Sequence, residues 1–574
     1  MPNTIVPFAT KGEGGPPESS LSEDKLNQWL PEGLREACQQ HRHLRDYLRL
    51  IPIEEIGVPE YFAKISRNDG GKKNLIYRVS DAVFIHIYLD PSISRGRYIP
   101  IEPSLTEDLS LVLPEVERAL TRATDQLHEA ESNEEKTEAL IKALGKLCEI
   151  RRGPTPSKTG GKKSDKTKSR VQMTPEQFEA LKYVIVRDKV GTGAIQPMLD
   201  DPNIEDISES GLGPIFVEHK IFNSLESSII FETIADLDQF VVRMSEAIGK
   251  PVTLRNPVVD ASLLDGSRIN IVFGSEISRR GSSFSIRKFF DTPLSILELI
   301  GFGSISYQMA AYLSLMLEND MNIFVVGETA SGKTTLMNAI TTFIPLNSKI
   351  VSIEDTPELQ VPHDNWVREV GKAAGAEEEG GTQVTMFDLL KAALRQRPNF
   401  IIIGEIRGAE GAIAFGAMQT GHAVMSTFHA ASVEKVIQRL TGNPICIPKT
   451  YIDSLNIVVC QNAVKLPNGK LGRRATSISE IVGYDPVDDA FSFVEVFQWK
   501  QTSDEFEFVG NKNSFLLEEK IAPRYGYPPE KRWKIYTLLE KRARILERLH
   551  KEKGVTDFYE LLKVLARAQH EGLF

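Results

Sequence analysis

One glycine-rich segment carries residues whose types and spacing suit phosphate binding. Gly327–Thr334 reads Gly-Glu-Thr-Ala-Ser-Gly-Lys-Thr and lies between the apolar stretch 322–326 and a predicted helix. In such loops the backbone N–H groups wrap the phosphates, because glycine leaves room for a close approach. The dipole of the following helix adds to the attraction. We expect Lys333 to reach the β- and γ-phosphates and Thr334 to bind Mg²⁺, so the segment predicts a nucleoside triphosphate site. The predicted nucleotide-binding residues are Gly327, Glu328, Thr329, Ala330, Ser331, Gly332, Lys333, Thr334 and Thr335.

Two other apolar stretches end in acidic residues. Residues 349–353 are followed by Glu354, Asp355 and Glu358, and residues 399–403 are followed by Gly404 and Glu405. Because the carboxyl ends of parallel strands share one edge of a sheet, these acids can converge on the phosphates. Hydrolysis needs one carboxylate near the metal and another that orients or deprotonates water. A single acid after a strand is often only a helix cap or solvated turn, but two such strands with a glycine loop favour catalysis.

The segment 420–430 contains two histidines, His422 and His429, seven residues apart. They have no third ligand at a spacing suitable for a metal site. Local sequence leaves two interpretations open for each histidine. It is a structural hydrogen-bonding group, or it faces the γ-phosphate and senses it or holds the catalytic water.

The composition predicts a soluble, multidomain protein. The 574 residues correspond to about three or four domains, and hydrophobic residues make up 41%. The formal net charge of -10 argues against a surface coated for nucleic acid. The four cysteines lack a CxxC spacing, which suits a reducing compartment rather than disulfides or a zinc ribbon. No apolar run of about 18 residues and no secretory signal is evident, so we expect a cytoplasmic protein with at most peripheral membrane contact.

Composition shifts along the chain predict six segments, and the alternation of strands and helices predicts a parallel α/β unit in the fifth. In chain order they are a disordered tail (1–22), an accessory N-terminal domain (23–152), a flexible basic linker (153–172), an α+β domain (173–290), a P-loop domain (295–510) and a helical C-terminal extension (511–574).

Four motifs in this order resemble the secretion ATPase superfamily of type II and type IV secretion, type IV pilus and archaellum machines. The segment 327–335 is similar to its Walker A motif and 352–358 to its aspartate box. The segment 399–408 resembles its Gly-Glu form of Walker B, which accounts for Gly404 before the acid, and 420–430 resembles its histidine box. The resemblance covers about 173–500, and Asp201–Ile207 is similar to the domain that precedes the motor.

This resemblance implies a RecA-like P-loop motor domain that hydrolyses ATP with Mg²⁺. It also implies a homo-hexameric ring at the inner face of the cytoplasmic membrane, acting on a polytopic membrane platform protein. Each subunit would move its N-terminal domain against its motor domain. The basic stretch 530–553 would face this platform or anionic lipid, with a solvated helix as the alternative.

The motifs also imply roles for individual residues. Lys333 and Thr334 would be the P-loop pair, Glu358 the general base or water-positioning group, and Glu405 a member of the metal shell. The acids beside Glu358 would complete that shell, and the histidines would be those of the histidine box. The further metal candidates are Glu354 and Asp355, and the histidine-box residues are His422 and His429.

In this family, arginines of the N-terminal domain also contact the phosphates of the nucleotide. Arg268 and Arg287 match in context, and Arg279 and Arg280 are weaker candidates. Such an arginine would neutralise charge that develops on the γ-phosphate. The alternative for each is a surface arginine on a β-hairpin.

Branch and function remain open to competing interpretations. The chain lacks the tetracysteine zinc module common in bacterial pilus-extension and type II members, and it lacks the AIRNLIRE-like segment of retraction motors. Its segments 393–399 and 354–366 look most like those of archaeal members. One alternative is a nucleic-acid motor such as a helicase, against which the negative charge stands. The other is a nucleotide-gated scaffold that binds without hydrolysis.

Overall fold

A computed structural model of the chain divides into two compact units, Met1–Phe289 and Phe290–Phe574. It describes residues 3–4, 26, 28–65, 67–89, 95–105, 109, 112–121, 132–151, 170–289, 292–371, 384–572 and 574. The predicted tail and linker lie almost entirely outside these residues. Within the described part of the chain, no helix combines the length and apolar character needed to cross a bilayer.

The first unit is built on a mixed sheet of eleven strands with short helices around it. The strands are β1 (Asn3–Thr4), β2 (Glu60–Phe62), β3 (Asn74–Arg78), β4 (Phe84–Tyr88), β5 (Gly96–Ile101), β6 (Cys148–Ile150), β7 (Val171–Met173), β8 (Ile204–Glu209), β9 (Gly213–His219), β10 (Asn223–Phe231), β11 (Val258–Ser262), β12 (Arg268–Val272) and β13 (Ser283–Arg287). The helices are α1 (Glu32–Gln40), α2 (Arg42–Leu50), α3 (Ile53–Ile56), α4 (Leu113–Thr121), α5 (Asn133–Leu147), α6 (Pro175–Lys189), α7 (Gln196–Asp200) and α8 (Ile234–Ala247). The large sheet runs β11-β12-β13-β8-β9-β10-β5-β4-β3-β2 with β1 on β10, while β6 and β7 pair separately.

The accessory domain is continuous with the α+β domain, contrary to their predicted separation. Strand β5 pairs in parallel with β10, so strands from both segments share one sheet. A buried carboxylate also joins them: Asp201 accepts hydrogen bonds from the hydroxyls of Tyr77 and Tyr98. Its other oxygen accepts the Asn203 backbone N–H at 2.8 Å. The shared sheet could not be predicted from local sequence patterns, because the partners of Asp201 are more than 100 residues away along the chain.

Replacing Asp201 with asparagine should loosen this junction. The amide cannot match the charged acceptor of the Tyr77 and Tyr98 hydroxyls, and we expect a loss of about 2–4 kcal/mol of local stability. Amide hydrogen exchange in β3 and β5 measures that loss. The control is the exposed neighbour Asp200 changed to asparagine, for which protection should stay within about 0.5 kcal/mol. Unchanged protection in the Asp201 variant would contradict the assigned role.

The second unit contains a nine-stranded sheet. Its strands are β14 (Ile323–Val326), β15 (Ile350–Glu354), β16 (Trp366–Val370), β17 (Phe400–Glu405), β18 (Ala423–Phe428), β19 (Ile457–Lys465), β20 (Leu471–Asp485), β21 (Ala490–Lys500) and β22 (Glu505–Phe508). The helices are α9 (Ile296–Gly301), α10 (Tyr307–Glu318), α11 (Lys333–Ile340), α12 (Met386–Arg395), α13 (Glu410–Gln419), α14 (Val433–Thr441), α15 (Ala522–Arg524), α16 (Lys534–Lys551) and α17 (Phe558–His570).

This sheet confirms the predicted parallel α/β motor unit. Strands β16-β15-β17-β18-β14-β19 are parallel, and β20, β21 and β22 continue the sheet in antiparallel pairing. All four residues of β14 are buried, which is typical of a parallel strand covered on both faces. The carboxyl ends of β14, β15, β17 and β18 therefore lie at one edge of the sheet.

The C-terminal helices belong to the core of the motor unit and do not form the separate extension that was predicted. Leu516, Leu539 and Leu546 are buried in the same apolar cluster as Leu336 of α11. Buried Arg542 on α16 contacts Glu318 and Ser314 of α10. The high charge of this segment favours a solvated helix, but Arg542 and the apolar side chains face the core while residues such as Arg544 lie on the outer face.

Candidate active site

The glycine loop lies between the end of β14 and the start of α11. A side chain at Gly327 is excluded, because its Cβ would lie 1.9 Å from the carbonyl oxygen of Gln461. Gly332 takes a φ of 91° and directly precedes α11, a left-handed conformation that glycine adopts without strain. Ala330 has a φ of 60°, which is rare for a residue with a side chain. The loop thus has the sharply turned backbone predicted for a phosphate cradle.

Lys333 occupies the first turn of α11 and is buried. Its Nζ donates to the carbonyl oxygen of Glu328 at 2.7 Å, across the loop. Burial lowers the pKa of Lys333, and the nearby charges of Glu405 and Glu358 act in the opposite direction. The charges of Glu405 and Glu358, one acid from each acidic segment, thus both act on the P-loop lysine, and their catalytic roles stay predictions.

Glu405 ends β17 and is mostly buried. Its Oε2 accepts a hydrogen bond of 2.6 Å from Arg407. Its Oε1 lies 2.9 Å from Nε2 of His429 but without hydrogen-bond alignment, so this buried oxygen has no hydrogen-bond donor. The hydroxyl of Ser331 in the loop is likewise buried and without a hydrogen-bond partner. Two unsatisfied oxygens beside the lysine fit a site that gains its remaining partners from a bound ligand.

Glu354 has a supporting role that differs from the predicted metal ligand. It is buried at the end of β15, and its Oε1 accepts the backbone N–H groups of Glu358 and Leu359, both at 2.7 Å. Its Oε2 accepts a hydrogen bond from Nε of Arg368 at 3.3 Å. Because both oxygens are engaged within the chain, this carboxylate fixes the turn that presents Glu358.

A second contact ties Glu358 to the P-loop helix. Asn338 of α11 donates from Nδ2 to the carbonyl oxygen of Glu358 at 3.2 Å and accepts the N–H of Gln360 at 3.1 Å. The Glu358 carboxylate itself is exposed. Asp355 is also exposed and lies close to Gly371, since a Cβ there would be 3.6 Å from Asp355 Oδ1.

The two histidines lie at opposite ends of β18. His429 follows the carboxyl end and faces Glu405. Burial lowers the pKa of His429 below its usual value, and the charge of Glu405 acts in the opposite direction. His422 precedes the amino end, where its Nδ1 is 3.2 Å from the Thr420 hydroxyl. A six-residue strand separates them by roughly 20 Å. Of the two, His429 lies at the sheet edge that carries the glycine loop, and His422 lies at the end of α13, where its backbone N–H donates to the Ala417 carbonyl oxygen at 3.1 Å.

The predicted arginines belong to the first unit. Arg268 and Arg287 are cross-strand neighbours on β12 and β13. Both are exposed, and each pairs with an aspartate: Arg268 with Asp260 at 2.6 Å and Arg287 with Asp206 at 3.2 Å. Their role toward the phosphates stays a prediction, as does that of Arg279 and Arg280.

Sequence reasoning missed several site residues. Asn338 follows Lys333 by five residues and looks like an ordinary helical position, and nothing local marks its contact with Glu358. Arg407 could have been found, because it stands two residues after Glu405 in the acidic motif. Arg473 donates from Nε to the Ala330 carbonyl oxygen at 3.1 Å, although it is 143 residues away in sequence.

The donor set fits Mg²⁺ held largely by a nucleotide. Among the described residues, no group of three or more His, Cys, Asp and Glu side chains could hold a metal ion by itself. Mg²⁺ in phosphate-transfer sites is bound by one or two protein groups together with phosphates and water. Thr334 on the first turn of α11 and the unsatisfied Oε1 of Glu405 are groups of that kind.

Comparisons with known proteins agree with the motifs. Residues 188–558 match the family described as "Type II/IV secretion system protein". An uncharacterised protein of Methanocaldococcus jannaschii is 41% identical over 94% of this chain and 97% of its own length. The type IV secretion system protein VirB11 of Brucella suis is 29% identical over 51% of this chain and 88% of its own. The Legionella pneumophila ATPase DotB is 16% identical, over 64% of this chain and 93% of that structure, with a TM-score of 0.38. The long archaeal match accords with the archaeal resemblance of the motifs, and the chain belongs to the type II/IV secretion system family.

Proposed function

We propose that the chain is an ATP-hydrolysing motor that drives assembly of a type IV pilus-like or archaellum filament, or secretion, at the cytoplasmic membrane. The observation that carries this proposal is buried Lys333 at the start of α11, directly after the sharply turned glycine loop, where the charges of Glu405 and Glu358 act on it. Family membership supports a part in a secretion-type machine. The family resemblance supports three further parts of the proposal: a homo-hexamer, a membrane platform protein as partner, and a location at the inner face of the membrane.

The residues of the site divide the work of hydrolysis. Lys333 exchanges the Glu328 carbonyl for the β- and γ-phosphates and neutralises their charge. Glu358 accepts a proton from a water whose oxygen bonds to the γ-phosphorus, while the bond from that phosphorus to the bridging oxygen breaks and leaves ADP. Mg²⁺, held by Thr334 and Glu405 with the phosphates, would supply further neutralisation. His429, just past the end of the neighbouring strand, lies 2.9 Å from Glu405 Oε1 and borders the metal position.

The rate of phosphate release with different additions distinguishes this motor from its alternatives. We expect basal ATP turnover by the full chain, stimulation by vesicles that contain phosphatidylglycerol, and no stimulation by single-stranded DNA. Uncharged phosphatidylcholine vesicles are the matched control. Stimulation by DNA alone would favour the nucleic-acid motor. ATP binding without turnover under every condition would favour the scaffold.

A further inference from the structure

The hairpin of β19 and β20 runs alongside the phosphate loop. Strand β19 pairs with β14 only as far as Cys460 opposite Val326, where β14 ends. The remaining residues of β19 extend past that end, and its pairing with β20 shifts by one residue between Cys460 and Gln461. Such irregularities bend a strand and redirect its side chains. The hairpin therefore continues next to the loop that follows β14.

Two residues of this hairpin touch the loop. The carbonyl oxygen of Gln461 occupies the space that a Cβ at Gly327 would need. From the opposite strand, Arg473 donates its Nε–H to the carbonyl oxygen of Ala330 at 3.1 Å. The Arg473 side chain also passes Gly332, where a Cβ would lie 3.3 Å from Arg473 Cδ. The hairpin thus borders the loop at its first residue, its middle and its last residue.

The hydrogen bond from Arg473 reaches the loop at Ala330, the residue with an unfavourable backbone conformation. Ala330 has a φ of 60°, a left-handed conformation in which the Cβ crowds the backbone. Residues other than glycine persist in this region only where surrounding contacts hold them, and they concentrate at functional sites. A donor fixed to the carbonyl oxygen of Ala330 is a contact of that kind.

The adjacent arginine has a different task. Arg474 is buried and donates from Nε and Nη2 to the carboxylate of Asp504, both at 2.8 Å, and from Nη1 to the carbonyl oxygen of Phe302. Its contacts hold the hairpin to the rest of the unit. Arg473 is exposed, so its contact with the loop is not a by-product of core packing. Successive residues of a strand point to opposite faces, which separates the two roles.

We propose that Arg473 is a positioning residue of the nucleotide site, which acts by holding Ala330 in its left-handed conformation. This inference rests on the proposed binding of ATP at the glycine loop. The arginine acts through the loop backbone and so sets the affinity for the nucleotide. It links the antiparallel part of the sheet to the phosphate cradle.

Equilibrium binding of a fluorescent ATP analogue with Mg²⁺ to the full chain tests the proposal. We expect Arg473→Ala to raise Kd about tenfold, the effect of losing one charge-assisted hydrogen bond. Glycine needs no help to adopt a φ of 60°, so Ala330→Gly in the Arg473→Ala background should return Kd to within about threefold of wild type. Lys470→Ala, which removes an exposed charge from the same hairpin, should bind like wild type.

Two results would overturn this role. Unchanged Kd in Arg473→Ala would show that the contact does not shape the loop. A double variant that binds as weakly as Arg473→Ala would show that the arginine acts on the nucleotide itself. If the wild-type chain binds the analogue no more tightly than Lys333→Ala, the nucleotide site itself is refuted. The role of Arg473 and the nucleotide site can therefore fail separately. Thermal unfolding of each variant confirms that the fold is retained.

Discussion

Glu358→Gln should lower ATP turnover by at least about a hundredfold and leave ATP affinity within about threefold, because a positioned general base contributes about 10²–10⁴-fold to rate. Glutamine preserves the size of the side chain but cannot accept the proton of the attacking water. The backbone of residue 358 should stay in place, since Glu354 and Asn338 hold it through main-chain groups. Phosphate release and analogue binding measure the two quantities separately.

Two matched variants sharpen this test. Asp364→Asn changes an exposed acid in the same segment and should leave turnover unchanged. Glu405→Gln should raise the Mg²⁺ concentration needed for half-maximal turnover, because it removes the charge of the carboxylate whose buried Oε1 lacks a hydrogen-bond donor. If Glu358→Gln turns over ATP normally while Glu405→Gln is inactive, the proton acceptor is Glu405 and the assignment of Glu358 is wrong.

Removing residues 511–574 should abolish ATP binding together with the fold of the second unit. Thirteen buried residues of this segment belong to the core cluster that includes Leu336 and Met337 of the P-loop helix. Each buried leucine exchanged for alanine costs about 2–5 kcal/mol, and a typical domain has only about 5–15 kcal/mol of stability. The residues of this segment in that core are Leu516, Leu517, Ile521, Ala522, Ile535, Tyr536, Leu539, Ala543, Leu546, Val555, Leu561, Leu565 and Phe574.

Point variants measure the same contribution without deleting the segment. Leu539→Ala removes a side chain that is 1% exposed and should lower the free energy of unfolding by about 2–4 kcal/mol. Arg544→Ala alters the outer face of α16, where the side chain is 77% exposed, and should change stability by less than about 0.5 kcal/mol. A truncated chain that binds ATP with wild-type affinity would restore the predicted separate extension and contradict the shared core.

The sequence was most informative where neighbours in the chain are also neighbours in the fold. The glycine loop, the two acid-ended strands and their convergence near Lys333 follow from local motifs and from the geometry of parallel strands. The same geometry separates His422 from His429, because a whole strand lies between them. A strand rises about 3.3 Å per residue, so the length of the apolar segment between the two histidines is enough to predict that separation.

Long-range partnerships could not be predicted. Asp201 depends on Tyr77 and Tyr98, and Ala330 depends on Arg473, and no spacing rule connects residues so far apart. The charged C-terminal helices misled for another reason. A helix that packs one face needs only a stripe of apolar residues, and the charges that surround the stripe dominate the composition. Leu539 and Leu546 form part of that stripe, seven residues apart.

Steady-state phosphate release from Mg²⁺-ATP by the full chain, beside Lys333→Ala, tests the central claim most directly. The lysine is the P-loop cation on which the charges of both acids act, so its loss should reduce turnover by at least about a hundredfold. Lys470→Ala, an exposed lysine on the β19–β20 hairpin, should retain full activity. We expect the wild type to hydrolyse ATP and the Lys333→Ala substitution to abolish this turnover. Equal rates of phosphate release from wild type and Lys333→Ala, or none from either under any condition, would contradict the proposal of an ATP-driven motor.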